Sequence, residues 1–130
     1  MAEAVLPKIM PNLPHQRIQS VVETMGPPPW SARLIDTDLM WAVLICYGPG
    51  HANNEHYHPD CDEWWAVLEG ELEWSLDGAE YFTARKGDLV FAARRVWHHI
   101  RHRGEGISLR LAVGMPDNPH IYEGPTKPRR

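Results

Sequence analysis

Residues 50–70 read GHANNEHYHPDCDEWWAVLEG, and they carry two histidines two positions apart, followed by an acidic residue. Where the chain is extended, His56 and His58 project from the same face, because side chains alternate along a strand. Glu63 begins the next apolar stretch and can reach back to the same point. Two imidazoles and a carboxylate that converge in this way predict ligands of one metal ion.

A second segment offers a third imidazole. Residues 87–98 read GDLVFAARRVWH, with His98 at the end, eleven residues after Gly87. Three neutral imidazoles and one carboxylate form a mixed nitrogen–oxygen site, which suits divalent Fe, Mn, Ni, Co, Cu or Zn better than ions that prefer sulfur. Water or a substrate would fill the remaining coordination positions.

Short strands are predicted on both sides of these segments, because turn signals recur every six to twelve residues. The apolar run Trp41–Tyr47 is typical of a strand buried on both faces. Residues 70–76 alternate apolar and polar side chains, and Asp77-Gly78 is a hairpin turn signal. This spacing predicts an all-β barrel or sandwich.

The 130 residues are predicted to form one domain. Residues 1–26 are interpreted as an arm and a first strand, the strand covering residues 17–25. Residues 27–115 are expected to form the barrel core, and residues 116–130 a loosely ordered polar tail. Neither an internal repeat nor a helix of useful length is predicted.

Composition excludes several classes of protein. The chain has 13 Lys and Arg against 17 Asp and Glu, a net charge of −4, which argues against nucleic-acid binding and a polybasic membrane anchor. The longest apolar run has seven residues, too few for a transmembrane helix. Residues 1–10 lack the pattern of a secretory signal, and two cysteines do not make a disulfide scaffold. We therefore expect a cytoplasmic protein.

The two histidine segments resemble the motifs of the cupins. Residues 50–70 match the first motif at every fixed position: Gly, five residues, His-x-His, three or four residues, Glu, six residues, Gly. The second motif reads Gly, five residues, Pro-x-Gly, two residues, His, three residues, Asn, and is matched at Gly87 and His98. The departures are Ala93 for the proline, Arg95 for the glycine and His102 for the asparagine. They concern the turn before His98 more than the ligand itself.

The resemblance implies a single jelly-roll-like barrel, commonly a homodimer. It also implies one divalent metal, with Fe(II) favoured, held by His56, His58, Glu63 and His98. The activity implied first is a non-haem dioxygenase acting on a small organic molecule. Lewis-acid chemistry, as in an isomerase, epimerase, lyase or decarboxylase, and ligand binding without turnover remain alternatives. Cupin lyases of sulfonium acids use a tyrosine two residues after the metal glutamate, whereas Trp65 stands there in this chain.

Strand parity adds candidate residues around the metal. His102 lies four residues after His98, so in a regular strand both side chains are on the same face. His102 is therefore a candidate catalytic acid–base group, and the alternative is an ordinary histidine at the rim. Trp65 lies two residues after Glu63, on the same face of the strand, and is expected to face inward. There it would contact substrate or fill the core.

Arg110 is the candidate anion-binding residue. If Ser108 and Ala112 face the cavity, Arg110 does so too, and its buried charge then needs an anionic partner from the protein or the substrate. The candidate substrate-binding set is Trp65, Arg110, Tyr47 and Trp41. The sequence leaves open the roles of three residues near the barrel mouth, which are Arg94, Arg95 and His51.

Overall fold

The computed structural model describes residues 9–116 and 119–124. One helix and eight strands occur in this part of the chain, and all strand pairs are antiparallel. The helix α1 is Ile18–Met25, and the strands are β1 (Trp30–Asp36), β2 (Trp41–Tyr47), β3 (Glu63–Glu69), β4 (Glu71–Leu76), β5 (Phe82–Arg85), β6 (Leu89–Ala92), β7 (His98–Arg103) and β8 (Ser108–Gly114).

The strands form two sheets that enclose the core. The larger sheet has the order β1-β2-β8-β3-β6, and the smaller one has the order β5-β4-β7. Side chains from both sheets pack into one apolar cluster, which includes Trp65 and Val67 of β3, Leu72 and Trp74 of β4, and Ile100 of β7. The predicted all-β, jelly-roll-like fold is therefore confirmed.

The chain passes from the larger sheet to the smaller one at Gly70, between β3 and β4. Gly70 has a φ of +73°, a backbone conformation that residues with a Cβ rarely adopt. A Cβ at this position would also overlap the carbonyl of Ile107. The last glycine of the first motif is thus required by the crossing between sheets.

The predicted strand over residues 17–25 is wrong, because this segment forms helix α1. Its apolar residues Ile18, Val21, Val22 and Met25 have the three- and four-residue spacing of one helix face, and all four pack into a second apolar cluster. The β-branched residues suggested a strand, but burial of this face outweighs their weak local preference. The helix ends at Gly26, whose N–H donates to the carbonyl of Val22.

The arm and helix α1 cover part of the outer face of the larger sheet. Val21 of α1 packs with Leu34, Leu44 and Leu109, which belong to β1, β2 and β8. The side chain of Asn12 donates to the carbonyl of Asp36 and accepts from its N–H, so the arm is tied to β1. The arm residues 1–8 lie outside the described residues.

The predicted tail is only partly described. Residues 119–124 lie against the barrel, and the backbones of Ile121 and Tyr57 pair with each other. Residues 117–118 and 125–130 lie outside the described residues. The division into arm, barrel core and tail stays a prediction.

No helix in residues 9–116 and 119–124 has the length and apolar character that would be needed to cross a membrane.

Candidate metal centre

The four predicted metal ligands lie together on three elements. His58 follows His56 in the loop before β3, Glu63 is the first residue of β3, and His98 is the first residue of β7. The backbones of His56 and His98 pair in an isolated bridge, which brings the two sequence segments into contact. All four side chains are at least 90% buried.

The ligand atoms converge on one point. Nε2 of His58 lies 2.8 Å from Oε1 of Glu63, and Nε2 of His98 lies 3.6 Å from the same oxygen. Nε2 of His56 lies 3.0 Å from Nε2 of His98. The ligand atoms of His58, Glu63 and His98 lie within 4.8 Å of one another, around a volume the size of a single ion, and His56 adjoins this group through His98.

Backbone carbonyls orient the three rings. Nδ1 of His56 donates to Asn54 O at 2.6 Å, Nδ1 of His58 to Pro119 O at 3.1 Å, and Nδ1 of His98 to Val96 O at 3.3 Å. A carbonyl oxygen only accepts, so the proton of each neutral ring resides on Nδ1. Each Nε2 therefore presents a lone pair to the common point, as a metal ligand must.

Burial keeps two of the rings neutral. It is the main cause that lowers the pKa of His56 to about 4, and the imidazoles of His120 and His58 act in the same direction. Burial likewise lowers the pKa of His98 to about 2, again with help from neighbouring imidazoles. At neutral pH both rings are uncharged, the state in which imidazole binds a metal.

The arrangement fits a divalent cation. With each ring proton on Nδ1, the Nε2 lone pairs of His56 and His98 face each other at 3.0 Å and repel, because no proton lies between them. Nε2 of His58 and Oε1 of Glu63 are close but lack hydrogen-bond geometry, and neither atom has a hydrogen-bond partner among the described residues. A cation among His58, Glu63 and His98 would satisfy their facing atoms, and the Nε2 lone pair of His56 lies next to that position.

A cavity of about 400 Å³ opens beside the ligands. Trp65, Ile45 and Ile100 contribute apolar wall, and Arg110 and Tyr47 lie at another part of the lining. Among the described residues of the lining, Glu63 is the one carboxylate and Arg110 the one lysine or arginine. The cavity therefore combines a metal-ligand cluster with a separate fixed cation.

The structure brings most of the predicted substrate-binding residues to this region. Trp65 is buried, with its ring centroid 5.1 Å from that of His98. Tyr47 and Arg110 line the main cavity, and Trp41 lines an adjoining cavity of about 240 Å³ that shares Glu63 with it.

His102 is not brought to the cavity. Its ring Nδ1 lies 2.9 Å from Oγ of Ser108, and its Nε2 lies 3.0 Å from the carbonyl of Gly104. β7 carries His102 four residues beyond His98, about 13 Å along the strand, so shared parity does not bring the two side chains together.

The three residues left open at the barrel mouth have local contacts. Nδ1 of His51 accepts from the N–H of Gly48. Arg94 pairs with Asp62. Arg95 donates from Nε to the carbonyl of Pro59 and adopts a φ of +71°. The turn before His98 thus has a left-handed backbone conformation at Arg95, the position at which the second motif has glycine.

Sequence reasoning missed two residues of the site, His120 and Tyr122. Both line the main cavity, and the ring of His120 lies 4.4 Å from that of His56. A ring nitrogen of His120 falls within 4.8 Å of ligand nitrogens of His56 and His58, so His120 is a further candidate ligand. Its tail segment has no periodic pattern, and the only signal was the excess of histidine in the chain.

Solved structures from other organisms share this fold. An uncharacterized conserved protein with a double-stranded beta-helix domain from Klebsiella pneumoniae has a TM-score of 0.75 at 19% identity, covering 84% of this chain and 90% of that chain. KdgF from Halomonas sp. has a TM-score of 0.62 at 23% identity, covering 68% of this chain and 78% of that chain. Lactobacillus farciminis oxalate decarboxylase has a TM-score of 0.55 at 19% identity, covering 65% of this chain and 26% of that chain.

No curated protein matches the chain. The model of the Cupin domain family matches residues 43–114, more than half of the chain. The matched residues run from β2 to β8 and include both histidine segments. Because the match spans every element that holds a predicted ligand, the chain belongs to the cupin family.

Proposed function

We propose that this protein is a metal-dependent cupin enzyme, a non-haem Fe(II) dioxygenase that acts on a small organic molecule. The observation that carries the proposal is the cluster of His58, Glu63 and His98, with the lone pair of His56 beside it, at the edge of a cavity of about 400 Å³. This volume lies within the range of small-molecule sites. Three imidazoles and one carboxylate match the softness of Fe(II), and they leave coordination positions open.

The chain's own residues would divide the work. His56, His58, Glu63 and His98 would hold the ion, and the carboxylate of Glu63 would offset part of its charge. Trp65 and Ile45 would shield the substrate from water, which strengthens electrostatic contacts inside the cavity. Fe(II) in this site would supply electron transfer between the substrate and dioxygen. Both oxygen atoms would enter the product, so no separate reductant is consumed.

Metal loading is the first test. We expect anaerobic reconstitution with Fe(II) to give about one iron per chain by elemental analysis, and expect His58→Ala and Glu63→Gln to lose it. His99→Ala is the matched control, because His99 neighbours His98 on β7 and contacts Tyr81 instead of the cluster. A wild-type protein that holds no divalent metal after reconstitution would contradict the proposal.

Oxygen uptake is the second test. The Fe(II)-loaded protein would be screened in an oxygen electrode against small catechols and hydroxy and oxo carboxylic acids. We expect uptake with at least one of these classes, loss of uptake in Glu63→Gln, and two labelled atoms in the product under ¹⁸O₂. Conversion that proceeds without oxygen would contradict the dioxygenase assignment.

Lewis-acid chemistry is the second candidate, and His120 is the observation that favours it. An isomerase, lyase or decarboxylase needs a protein acid or base beside the metal. His120 lines the cavity next to His56, whereas His102 does not. Anaerobic conversion supported by Mn, Ni or Zn and abolished in His120→Ala would establish this candidate. Binding without any conversion would instead identify a ligand-binding module.

We also propose that the protein is a cytoplasmic homodimer. The free, buried thiols of Cys46 and Cys61 are consistent with a reducing compartment. Trp64 and Phe91 lie opposite each other on β3 and β6, and both are exposed on the outer face of the larger sheet. Light scattering would test the dimer, which a monomeric mass would contradict.

A further inference from the structure

Arg110 is a buried cation in the centre of the larger sheet. It lies on β8, opposite Ile45 of β2 and Val67 of β3, and it is 2% exposed. Burial lowers the pKa of its guanidinium group, but an arginine side chain in a protein stays protonated. The fold therefore keeps a positive charge inside the barrel, next to a cavity.

The protein does not fully compensate this charge. Cζ of Arg110 lies 4.2 Å from the ring centroid of Tyr47, a cation–π contact. In the described part of the chain no carboxylate forms an ion pair with Arg110, and Nε and Nη1 have no hydrogen-bond partner. A hydrogen bond to Tyr47 and the more distant charge of Glu63 offset only part of the cost of burial, because the pKa of Arg110 is still lowered. A ligand that supplied an anion to Nε and Nη1 would therefore bind with an electrostatic gain.

The charge of the whole cavity points to the same kind of ligand. Glu63 is the one acidic residue in the described lining, and it belongs to the metal-ligand cluster. A divalent ion, Glu63 and Arg110 together would leave two positive charges uncompensated. An anionic substrate neutralises one or both of them, according to its own charge, whereas a neutral substrate neutralises neither.

The two positive centres lie apart. Glu63 is opposite Gly114 on β8, and Arg110 is four residues earlier on the same strand, about 13 Å along it at the level of Cα. The guanidinium of Arg110 lies over the ring of Tyr47, and Glu63 is near enough for its negative charge to oppose the lowering of the Arg110 pKa. A ligand that reaches both centres needs an anionic group at one end and a metal-facing group at the other.

We propose that the substrate is a small organic carboxylate, whose carboxylate group binds Arg110 while its reacting end faces the His56, His58, Glu63 and His98 cluster. The proposal rests on the proposed function for the metal at the reacting end, and on Arg110 alone for the anion. Planar guanidinium donors match a carboxylate in shape.

The test uses ligand-induced stabilisation and calorimetric binding in the metal-free, full-length protein, so that the metal plays no part. The probes are 4-hydroxybenzoate, its neutral methyl ester and inorganic phosphate. We expect the acid to bind and to raise the melting temperature, and the ester to bind at least tenfold more weakly. Equal binding of acid and ester would overturn the proposal, and so would phosphate binding as tight as that of the acid.

Two variants locate the anion site. Arg110→Met should abolish the response to 4-hydroxybenzoate and leave the melting temperature of the ligand-free protein unchanged or higher, because the variant removes an uncompensated buried charge. Arg110→Lys should retain weakened binding of the acid. Arg103→Met is the control, because Arg103 is exposed on β7. Unchanged acid binding in Arg110→Met would overturn the proposal, and if that variant does not fold, unchanged binding in Arg110→Lys would do so.

The metal is measured separately on the same variants. We expect Arg110→Met to bind one divalent ion as the wild type does, since Arg110 is not a ligand. A protein that binds 4-hydroxybenzoate through Arg110 but holds no metal would contradict the proposed function and leave this inference standing. A protein that holds metal but binds the acid and its ester equally would contradict this inference and leave the proposed metal site standing.

Discussion

The backbone N–H of Arg95 donates a hydrogen bond of 2.7 Å to the carbonyl of His58. This bond ties the turn before His98 to the loop that carries His56 and His58, the first two candidate ligands. Arg95 reaches it only with a φ of +71°, a conformation that costs a residue with a Cβ about 1–2 kcal/mol. The site is thus held together by a strained position at which the second cupin motif has glycine.

Arg95→Gly is expected to stabilise the protein by about 1 kcal/mol. Glycine adopts this φ without the steric cost, although it gives up the bond to the carbonyl of Pro59 and has a more flexible unfolded state. Urea unfolding measures the change. Arg94→Gly is the control and should destabilise, because it removes the side-chain bonds that the guanidinium of Arg94 donates to Asp62. Lower stability of Arg95→Gly would show that the side chain outweighs the strain.

Metal binding is expected to raise the melting temperature by about 10 °C when the ion is present at about a hundred times its dissociation constant. The cause is relief of the repulsion between the lone pairs of His56 and His98, together with binding to the folded state alone. Differential scanning fluorimetry of the chelated protein, titrated with Fe(II), Mn or Zn, measures it. His98→Ala should show no shift and His99→Ala the full shift; a shift in both variants would place the ion elsewhere.

Acid is expected to destabilise the metal-free protein. The pKa of His56 is lowered to about 4 and the pKa of His98 to about 2, both below the ordinary value of 6.5. Below pH 6.5 the unfolded chain therefore binds protons that the folded chain does not. Stability should fall by up to about 1.4 kcal/mol per pH unit for each histidine, from pH 6.5 down to about 4 for His56 and further for His98.

Urea unfolding in the presence of a chelator at pH 7, 6 and 5 measures this slope. His56→Gln should reduce the slope, while His99→Gln should leave it as in the wild type. A free energy of unfolding that stays flat between pH 7 and 5 would mean that the two rings take up protons in the folded protein as readily as in the unfolded chain.

Removing residues 117–130 is expected to weaken metal binding by about ten- to a hundredfold. The truncation deletes Pro119, whose carbonyl accepts from Nδ1 of His58, and His120, which lies beside His56. Titration calorimetry measures the affinity. Removing only residues 125–130 is the control and should leave it unchanged, because the pairing of Ile121 with Tyr57 remains. Equal affinities in both truncations would exclude a role for the segment 119–124.

Local sequence was sufficient to predict the barrel and most residues of the candidate metal cluster. The alternating side chains of β4 and the inward direction of Trp65 and Arg110 follow from the two-residue period of a strand. Contacts with other strands do not change this period. Helix α1 was misjudged because a short apolar segment is ambiguous by itself. It became a helix where Val21 could pack on the sheet beside Leu44 and Leu109.

The sequence by itself determined which residues can be ligands, because His56, His58, Glu63 and His98 stand at the ligand positions of the two cupin motifs. Tertiary structure alone decided that His120 joins them and that His102 does not. Pairing of Ile121 with Tyr57 carries the tail across the site, and a strand of fixed rise carries His102 away from it. Spacing along the chain predicts the direction in which side chains point. The distance between segments far apart in sequence is set only when the chain folds.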